Sequence, residues 1–522
     1  MKEFKIKNVS EMTVEELIGQ VIMVGLPYTY LDEEYKEFIK QYKIGNYILF
    51  SRNYTDTAQM KNFMKELYQY TIDVTASFPL VSIDQEGGMV VRLFKDVTFP
   101  ASPLTSSSTI VPNAPYICGK IIGKDMLKLG INLNLAPCLE INEDLLNPLV
   151  NIRGYGANRE IVLENARQFV HGIQDSGALS CIKHFPGAGS STKDSHLELP
   201  IIEDSKEELL NYNMYPFVNL IESDALMSSH CVYKAFDSSP STLSKILLTD
   251  VLRKQFKFEG LIITDGMEMN AIADYYGIGK GCVMALQAGC DILLLCHEYE
   301  EQKEAFRAVK EAVDNGEISV DLLRERVMRI NKAKEKLIKG LINNFKEEEY
   351  QINQDEHRIM QEIVDGSFTL IKGQKPSIND DTLIISSNVR VASIVEDEFD
   401  ERNLTKALKN SFPNHKVIEF TKNIEFVEET IKLSENHQSI IIYSYDAYND
   451  EVQKDLINKL LKTDKKVYVV SIKGPIDRQY FNELKNYSCV YEYTPNSIRT
   501  IIKQLKGEIE LNGKLPMWFK WR

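Results

Sequence analysis

The sequence predicts an α/β protein in two parts: an N-terminal (β/α)8 TIM-type barrel followed by a smaller α/β sandwich domain. Three observations carry this expectation. Eight short apolar runs recur early in the chain, at residues 21–24, 47–50, 80–83, 131–135, 179–182, 225–227, 261–263 and 292–295. Helical periodicity fills most gaps between them, as at 57–70, 158–175, 206–221 and 278–288. Fully apolar runs separated by helices mark parallel strands buried on both faces, and eight such units in about 300 residues match the size of a barrel. The second observation concerns the residues just past the runs. Asp84-Gln85-Glu86-Gly87-Gly88 comes after the third, Lys183-His184-Phe185-Pro186-Gly187 after the fifth, Ser228-Ser229-His230 after the sixth and Thr264-Asp265-Gly266 after the seventh. Polar and ionisable residues therefore gather where a barrel keeps its chemistry, at the C-terminal mouth.

The third observation is that the pattern stops and restarts. A charge-rich helical stretch at 320–339 closes the first part, and the polar, acidic segment 343–357 reads as a connector, with an exposed helix as its alternative. We place the barrel at residues 1–342, a linker at 343–364 and the second domain at 365–522. In the second domain apolar runs return at 368–371, 382–385, 416–420, 439–443, 466–470 and 489–491, with helical stretches at 424–433, 451–461 and 497–505. It holds no cluster of ionisable residues comparable to the first part.

Composition narrows the function. With 522 residues, 43% hydrophobic and 26% charged, the chain can bury large cores, which excludes a disordered or disulfide-stapled protein. Its 61 Lys+Arg against 75 Asp+Glu leave a net charge of −14, so neither nucleic acid nor a membrane is an expected partner. The eight cysteines show no CxxC and no metal-type spacing, and most sit in apolar stretches as small buried hydrophobes. No apolar h-region or long apolar span is visible, which makes the cytoplasm the expected compartment.

Three places could carry chemistry. The loop at 183–200 holds Asp194 two residues before His196, and a carboxylate near an imidazole orients it and raises its basicity. The alternative is a polar surface loop in which His196 merely hydrogen-bonds. Asp265 directly follows a buried strand, a placement that suits a nucleophile, although Asp is also a good N-cap for the next helix. Asp84 repeats that placement beside Gly87-Gly88, with Arg92 shortly after and Arg153 in a turn-rich loop. Acidic and basic side chains around one mouth can make forked hydrogen bonds to vicinal hydroxyls, or simply pair with one another. His184, His196 and His230 fall on separate segments without a carboxylate-rich ligand set, so no metal is expected.

These motifs, taken in order, resemble glycoside hydrolase family 3, in particular its β-N-acetylglucosaminidase branch. The matching segments are Met12-Thr13-Val14-Glu15-Glu16-Leu17-Ile18-Gly19-Gln20, Ile83-Asp84-Gln85-Glu86-Gly87-Gly88, Asn147-Pro148, Lys183-His184-Phe185-Pro186-Gly187, Asp194-Ser195-His196, Thr242-Leu243-Ser244 and Ile263-Thr264-Asp265. The tail Gly513-Lys514-Leu515-Pro516 is similar to the end of the family's second domain. The resemblance implies a retaining hydrolase with Asp265 as nucleophile and His196, held by Asp194, as acid/base. It also implies that Asp84, Arg92, Arg153, Lys183 and His184 contact the sugar, and that no cofactor is needed. Four departures stand out: Ala188 and Ser190 within a segment usually Gly-His-Gly-Asp, Glu140 for an aspartate, Gly154 for a serine and Met89 for an arginine.

The expected activity is release of terminal GlcNAc from muropeptide or chitooligosaccharide fragments through a covalent glycosyl-enzyme. Two readings within the same family are its alternatives, a β-N-acetylglucosaminide phosphorylase and a broad-specificity β-glucosidase. A catalytically dead sugar-binding protein would lack Asp265, Asp194 or His196, and all three are present.

Overall fold

The computed structural model describes residues 4–141, 147, 150–187, 199–345, 349–387 and 403–516. Eight strands close into a barrel: β1 (Ile22–Gly25), β2 (Asn46–Leu49), β3 (Leu80–Ile83), β4 (Leu133–Asn134), β5 (Leu179–Phe185), β6 (Ala225–Ser228), β7 (Leu261–Gly266) and β8 (Ile292–Leu295). Each lies parallel to its sequence neighbours, and β8 closes on β1 through Ile22↔Leu293 and Val24↔Leu295. All eight apolar runs are therefore strands of one barrel. Their side chains form its core, and most of them are wholly inaccessible to solvent.

Where the strand bounds differ from expectation, the cause is local. β4 spans two residues, and asparagine side chains add to the backbone bonds on either side of it. Asn132 Oδ1 accepts the Val81 N–H at 2.9 Å, and Asn134 Oδ1 accepts the Gln85 N–H at 3.1 Å. Pro137, which carries no N–H, comes shortly after. β5 and β7 run further than their apolar cores, so Lys183, His184 and Asp265 ride on strand ends rather than on loops.

The helices between strands begin where side chains cap them. Asp56 accepts from Gln59 N at the start of Thr57–Thr75, and Asn158 from Glu160 N and Ile161 N at the start of Arg159–Ser176. The helical stretch expected at 206–221 is instead broken into Lys206–Glu208, a wide π-type turn Leu209–Asn213 and Tyr215–Val218. Pro216 lacks the N–H that would continue an unbroken ladder. No helix among the described residues is long and apolar enough to cross a membrane.

After the helix Val320–Asn344, the stretch expected as a linker contains most of another helix, Gln354–Ser367. Its Met360, Ile363 and Val364 are buried in the barrel's own hydrophobic cluster. The connector is thus packed structure over its second half, where Asp355 and Glu356 of the acidic segment open an amphipathic helix whose other face is apolar.

The second domain is a six-stranded sheet of β9 (Thr369–Lys372), β10 (Thr382–Ser386), β11 (Lys416–Glu419), β12 (Ser439–Ser444), β13 (Lys466–Ser471) and β14 (Asn486–Cys489), ordered β9-β14-β13-β12-β10-β11. All pairings are parallel except β9 with β14. The last strand ends at Cys489, the first residue of the expected run at 489–491, because Tyr491 adopts a φ of 59°, incompatible with extended backbone. Helices such as Glu451–Leu461 and Pro495–Leu505 cover the sheet.

The two parts share a core. Met89, Leu104 and Ile152 of the barrel are buried in one cluster with Phe368, Tyr443, Tyr491 and Tyr493. Met89 therefore fits its place: a long apolar side chain meets an apolar domain surface there. Beside it the buried Glu492 accepts the Ser102 N–H at 2.7 Å and the Thr494 hydroxyl at 2.7 Å. Asn496 Nδ2 donates to the Phe99 carbonyl at 2.9 Å. Replacing Glu492 with Ala leaves the buried Ser102 N–H without its acceptor, which costs about 1–3 kcal/mol. Urea unfolding of Glu492→Ala should accordingly show a lower midpoint than the parent chain, whereas an unchanged midpoint would remove this contact from the set of domain anchors.

Candidate active site

At the barrel mouth the ends of β3 and β5 and the loop after β4 meet through four charged side chains. Lys183 Nζ lies 2.6 Å from Asp84 Oδ1 and 2.6 Å from Glu86 Oε1. Glu86 is gripped on its far side by Arg153, with Nε to Oε2 at 2.8 Å and Nη2 to Oε1 at 2.8 Å. The order Asp84–Lys183–Glu86–Arg153 alternates acid and base, so the formal charges cancel along the chain. Lys183 and Glu86 are almost wholly inaccessible, with side chains 2% and 1% exposed, while Asp84 is at 16%. Burial alone would push the Glu86 carboxyl up, yet the Arg153 guanidinium and Lys183 ammonium hold it well below the usual carboxylate range. Burial likewise works against the Lys183 cation, and Asp84 and Glu86 more than offset that, raising it above an ordinary lysine.

The turn that carries Asp84 and Glu86 depends on two glycines. Gly87 and Gly88 have φ of 104° and 64°, and a Cβ on Gly88 would sit 2.4 Å from Ser102 Cβ. No other residue combines that backbone with that space. Gln85 completes the turn: its Oε1 accepts the backbone N–H groups of Arg92 at 2.9 Å and Leu93 at 3.1 Å. Arg92 is thereby placed on the same loop and is 8% exposed.

Asp265 sits at the end of β7, partly accessible, and its Oδ1 accepts the Gly266 N–H at 2.9 Å. The Gly266 carbonyl faces His230 Nε2 at 2.9 Å, so that nitrogen carries a proton, and His230 Nδ1 lies 2.8 Å from Thr242 Oγ1. With both ring nitrogens engaged and 1% exposure, His230 is a core histidine that ties β6 to the turn after Asp265.

A third group forms around Glu140. Its Oε1 accepts the His184 backbone N–H at 2.9 Å and lies 2.8 Å from His184 Nδ1, while Oε2 accepts from Cys138 Sγ at 2.7 Å. Burial would raise the Glu140 carboxyl, but His184 and Cys138 lower it overall. With Nδ1 paired to Glu140, Nε2 is the ring nitrogen left to meet a hydroxyl at the mouth. The donor atoms of Cys138, Glu140 and His184 lie within 4.8 Å of one another, a spacing that a metal ion could use. As found, however, each proton is directed at Glu140. Burial also pushes the fully inaccessible Cys138 thiol far above its usual range, which opposes the thiolate a metal requires. The trio is an orienting chain for His184.

Comparison with known proteins places this geometry. The family model described as the glycosyl hydrolase family 3 N-terminal domain matches residues 13–333. The chain belongs to glycosyl hydrolase family 3. It is similar to a solved family 3 β-N-acetylglucosaminidase from Paenibacillus sp., with 30% identity, a TM-score of 0.90 and coverage of 97% of this chain and 99% of that one. It is 32% identical over 343 residues to a β-hexosaminidase of Photobacterium profundum, covering 64% of this chain and 97% of that protein. It is 26% identical over 426 residues to β-hexosaminidase A of Pseudoalteromonas piscicida, covering 74% and 70% respectively.

As a family 3 glycoside hydrolase, the chain brings Asp84, Lys183 and Arg153 into one charge chain at its barrel mouth. Arg153, expected as a sugar contact, directs two of its nitrogens at Glu86. Glu86, Glu140 and His230 are the residues that sequence reasoning passes over as site members. Asp194 and His196, with Ala188 and Ser190, lie outside the described residues.

Glu86→Gln should unbalance Lys183 and Arg153 and destabilise the fold by about 3–5 kcal/mol, the usual cost of breaking a buried pair. Adding Arg153→Met to it should recover part of that loss. A double-mutant cycle by urea unfolding checks this, with a coupling of at least about 1 kcal/mol expected. Additive losses would mean that the two residues do not act as a pair.

Proposed function

We propose that this enzyme is a retaining exo-β-N-acetylglucosaminidase that releases terminal GlcNAc by double displacement. The observation that carries the reading is the position of Asp265. It stands on a strand end at the barrel mouth, its turn held by His230, and a self-compensated charge chain occupies the same mouth. The naming of its relatives as β-hexosaminidases and a β-N-acetylglucosaminidase supports the substrate class.

In the first step Asp265 attacks the anomeric carbon while His196 protonates the departing oxygen, leaving a covalent glycosyl-enzyme. In the second, His196 accepts a proton from water, which displaces Asp265 with net retention. Asp194 orients the imidazole and supports its charge. Asp84, the most exposed acid of the charge chain, accepts hydrogen bonds from sugar hydroxyls, and Lys183, 2.6 Å away, holds it in place for that role. His184 Nε2, Arg153 and Arg92 complete the sugar contacts. No step requires a cofactor, and the partner is the small carbohydrate substrate. Muropeptide or chitooligosaccharide fragments in the cytoplasm are the proposed natural source.

Three expected outcomes test the proposal. Asp265→Ala should fold normally and retain less than about a hundredth of the turnover, since covalent catalysis fails outright. The first sugar product of the parent enzyme, followed by proton NMR, should be the β-anomer; an initial α-anomer would overturn double displacement with retention. Phosphate in the same assay should leave free GlcNAc as the product, and GlcNAc-1-phosphate would make the enzyme a phosphorylase.

His196→Ala should slow cleavage of a natural disaccharide by about 10²–10⁴-fold while sparing a nitrophenyl glycoside, whose leaving group needs little protonation. Asp194→Asn should show the same pattern in milder form. Equal damage to both substrates by His196→Ala would make His196 a binding residue.

A further inference from the structure

Three residues beyond Asp265, the turn that leaves β7 carries a second carboxyl that the double displacement leaves unused. Glu268 folds back onto the seam where the barrel closes. Its Oε1 accepts the Cys296 N–H, just past β8, at 2.6 Å. Its Oε2 is buried without a hydrogen-bond partner among the described residues. A Cβ built on Gly266 would stand 3.3 Å from Glu268 Oε2 and 3.6 Å from Cys296 Sγ, so these side chains fill the space beside the glycine next to the nucleophile.

The far side of Cys296 is held as well. Its carbonyl accepts from Arg52 Nη2 at 2.6 Å, and Arg52 Nε donates to the Leu26 carbonyl at 2.9 Å. One residue at the end of β8 is thus gripped by an acid from the β7 turn and a base from the β2 turn. Other ties on that turn include Met267 N to the Leu294 carbonyl at 2.9 Å and Gly266 O to His230. A neutral amide could accept the Cys296 N–H equally well, and an apolar residue could fill the space. A carboxyl with one buried oxygen left unpaired is costly in either protonation state.

We propose that Glu268 is the positioning residue for Asp265, clamping the β7 turn to the end of β8 and setting the electrostatic surroundings of the nucleophile. The inference rests on the reading of Asp265 as nucleophile. Burial pushes the Glu268 carboxyl up to about 7; its own N–H and the N–H and thiol of Cys296 oppose this, and Glu301 adds to it in smaller measure. The other titratable and charged groups around it are Arg52 from the β2 turn, Cys296 past β8, Cys282 and Glu304 from the flanking helices, and Asp265. As Glu268 ionises, a second negative charge appears on the turn that carries Asp265, and Cys296 interacts with both. That charge favours both loss of the Asp265 charge on bond formation and the positive charge that develops on the sugar ring. Both effects belong to the first displacement, so kcat/KM of an aryl glycoside, which reports that step, rises as Glu268 ionises.

The test uses full-length Glu268→Ala, Glu268→Gln and Asp265→Ala, each checked for native melting, with nitrophenyl β-GlcNAc between pH 5 and pH 9. Glu268→Ala should lose about 10–100-fold in kcat with KM within about twofold, the scale of a nucleophile displaced by an ångström or less. Glu268→Gln keeps the acceptor and the volume and should restore most of that kcat. It should also lack the rise in kcat/KM of about threefold or more that the parent shows around neutral pH. The proposal is overturned if Glu268→Ala keeps parental kcat, if Gln fails to restore it, or if the Gln and parental pH profiles superimpose. An active Asp265→Ala would overturn the nucleophile reading and this inference with it. An inactive Asp265→Ala beside unaffected Glu268 variants overturns this inference alone.

Discussion

A charge taken out of water at the mouth of this barrel is tolerated only beside its opposite, and the chain Asp84–Lys183–Glu86–Arg153 is how four of them are kept there. The chain draws on β3, on β5 and on the loop after β4, so the three segments can be placed only in one mutual arrangement. Its consequence for sugar binding is a division of labour. Glu86 is saturated by two cations, whereas Asp84, at the end of the chain, shares Lys183 and faces the more open side of the site. A neutral, hydroxyl-rich ligand suits such a surface, because it can exchange hydrogen bonds without importing a charge that the chain would have to balance.

The second domain serves this arrangement from behind. Met89 and Ile152 lie on the two loops that carry Glu86 and Arg153, and both are buried against sandwich residues such as Phe368 and Tyr493. Ser102, whose Cβ lies beside Gly88, hands its N–H to Glu492. The sandwich thus acts on the site by packing and by one buried carboxylate. On the opposite side of the mouth, His230 and Glu268 hold the turn of Asp265 through Gly266 and Cys296. The charge chain and the turn of Asp265 are therefore fixed by separate sets of contacts on one barrel.

The barrel is legible in the sequence because parallel strands buried on both faces must be almost entirely apolar, and few other folds call for eight such runs in a row. Bounds are less legible wherever a side chain or a single backbone angle decides them, as with Pro216 in the broken helix and Tyr491 after β14. The connector misleads for a related reason: its acidic Asp355 and Glu356 share a helix with Met360, Ile363 and Val364, and only burial reveals which face matters. Among site residues, Asp84, Lys183 and Asp265 stand directly after apolar runs or one residue on, which marks them. Glu86 and Glu140 carry no such mark, since their importance comes from partners 67 and 44 residues away in the chain. Only the long acidic side chain beside a glycine pair hints at Glu86.

Asp265 is the group proposed to bond to the sugar, and the mechanism stands or falls with it. Incubation with an activated fluorosugar analogue of N-acetylglucosamine, followed by proteolysis and mass spectrometry of the inactivated enzyme, tests this most directly. Double displacement through Asp265 predicts one glycosyl residue attached to the peptide containing Asp265, on that side chain. An adduct on Asp84 or on any other carboxylate would contradict it, and so would continued turnover with no adduct at all.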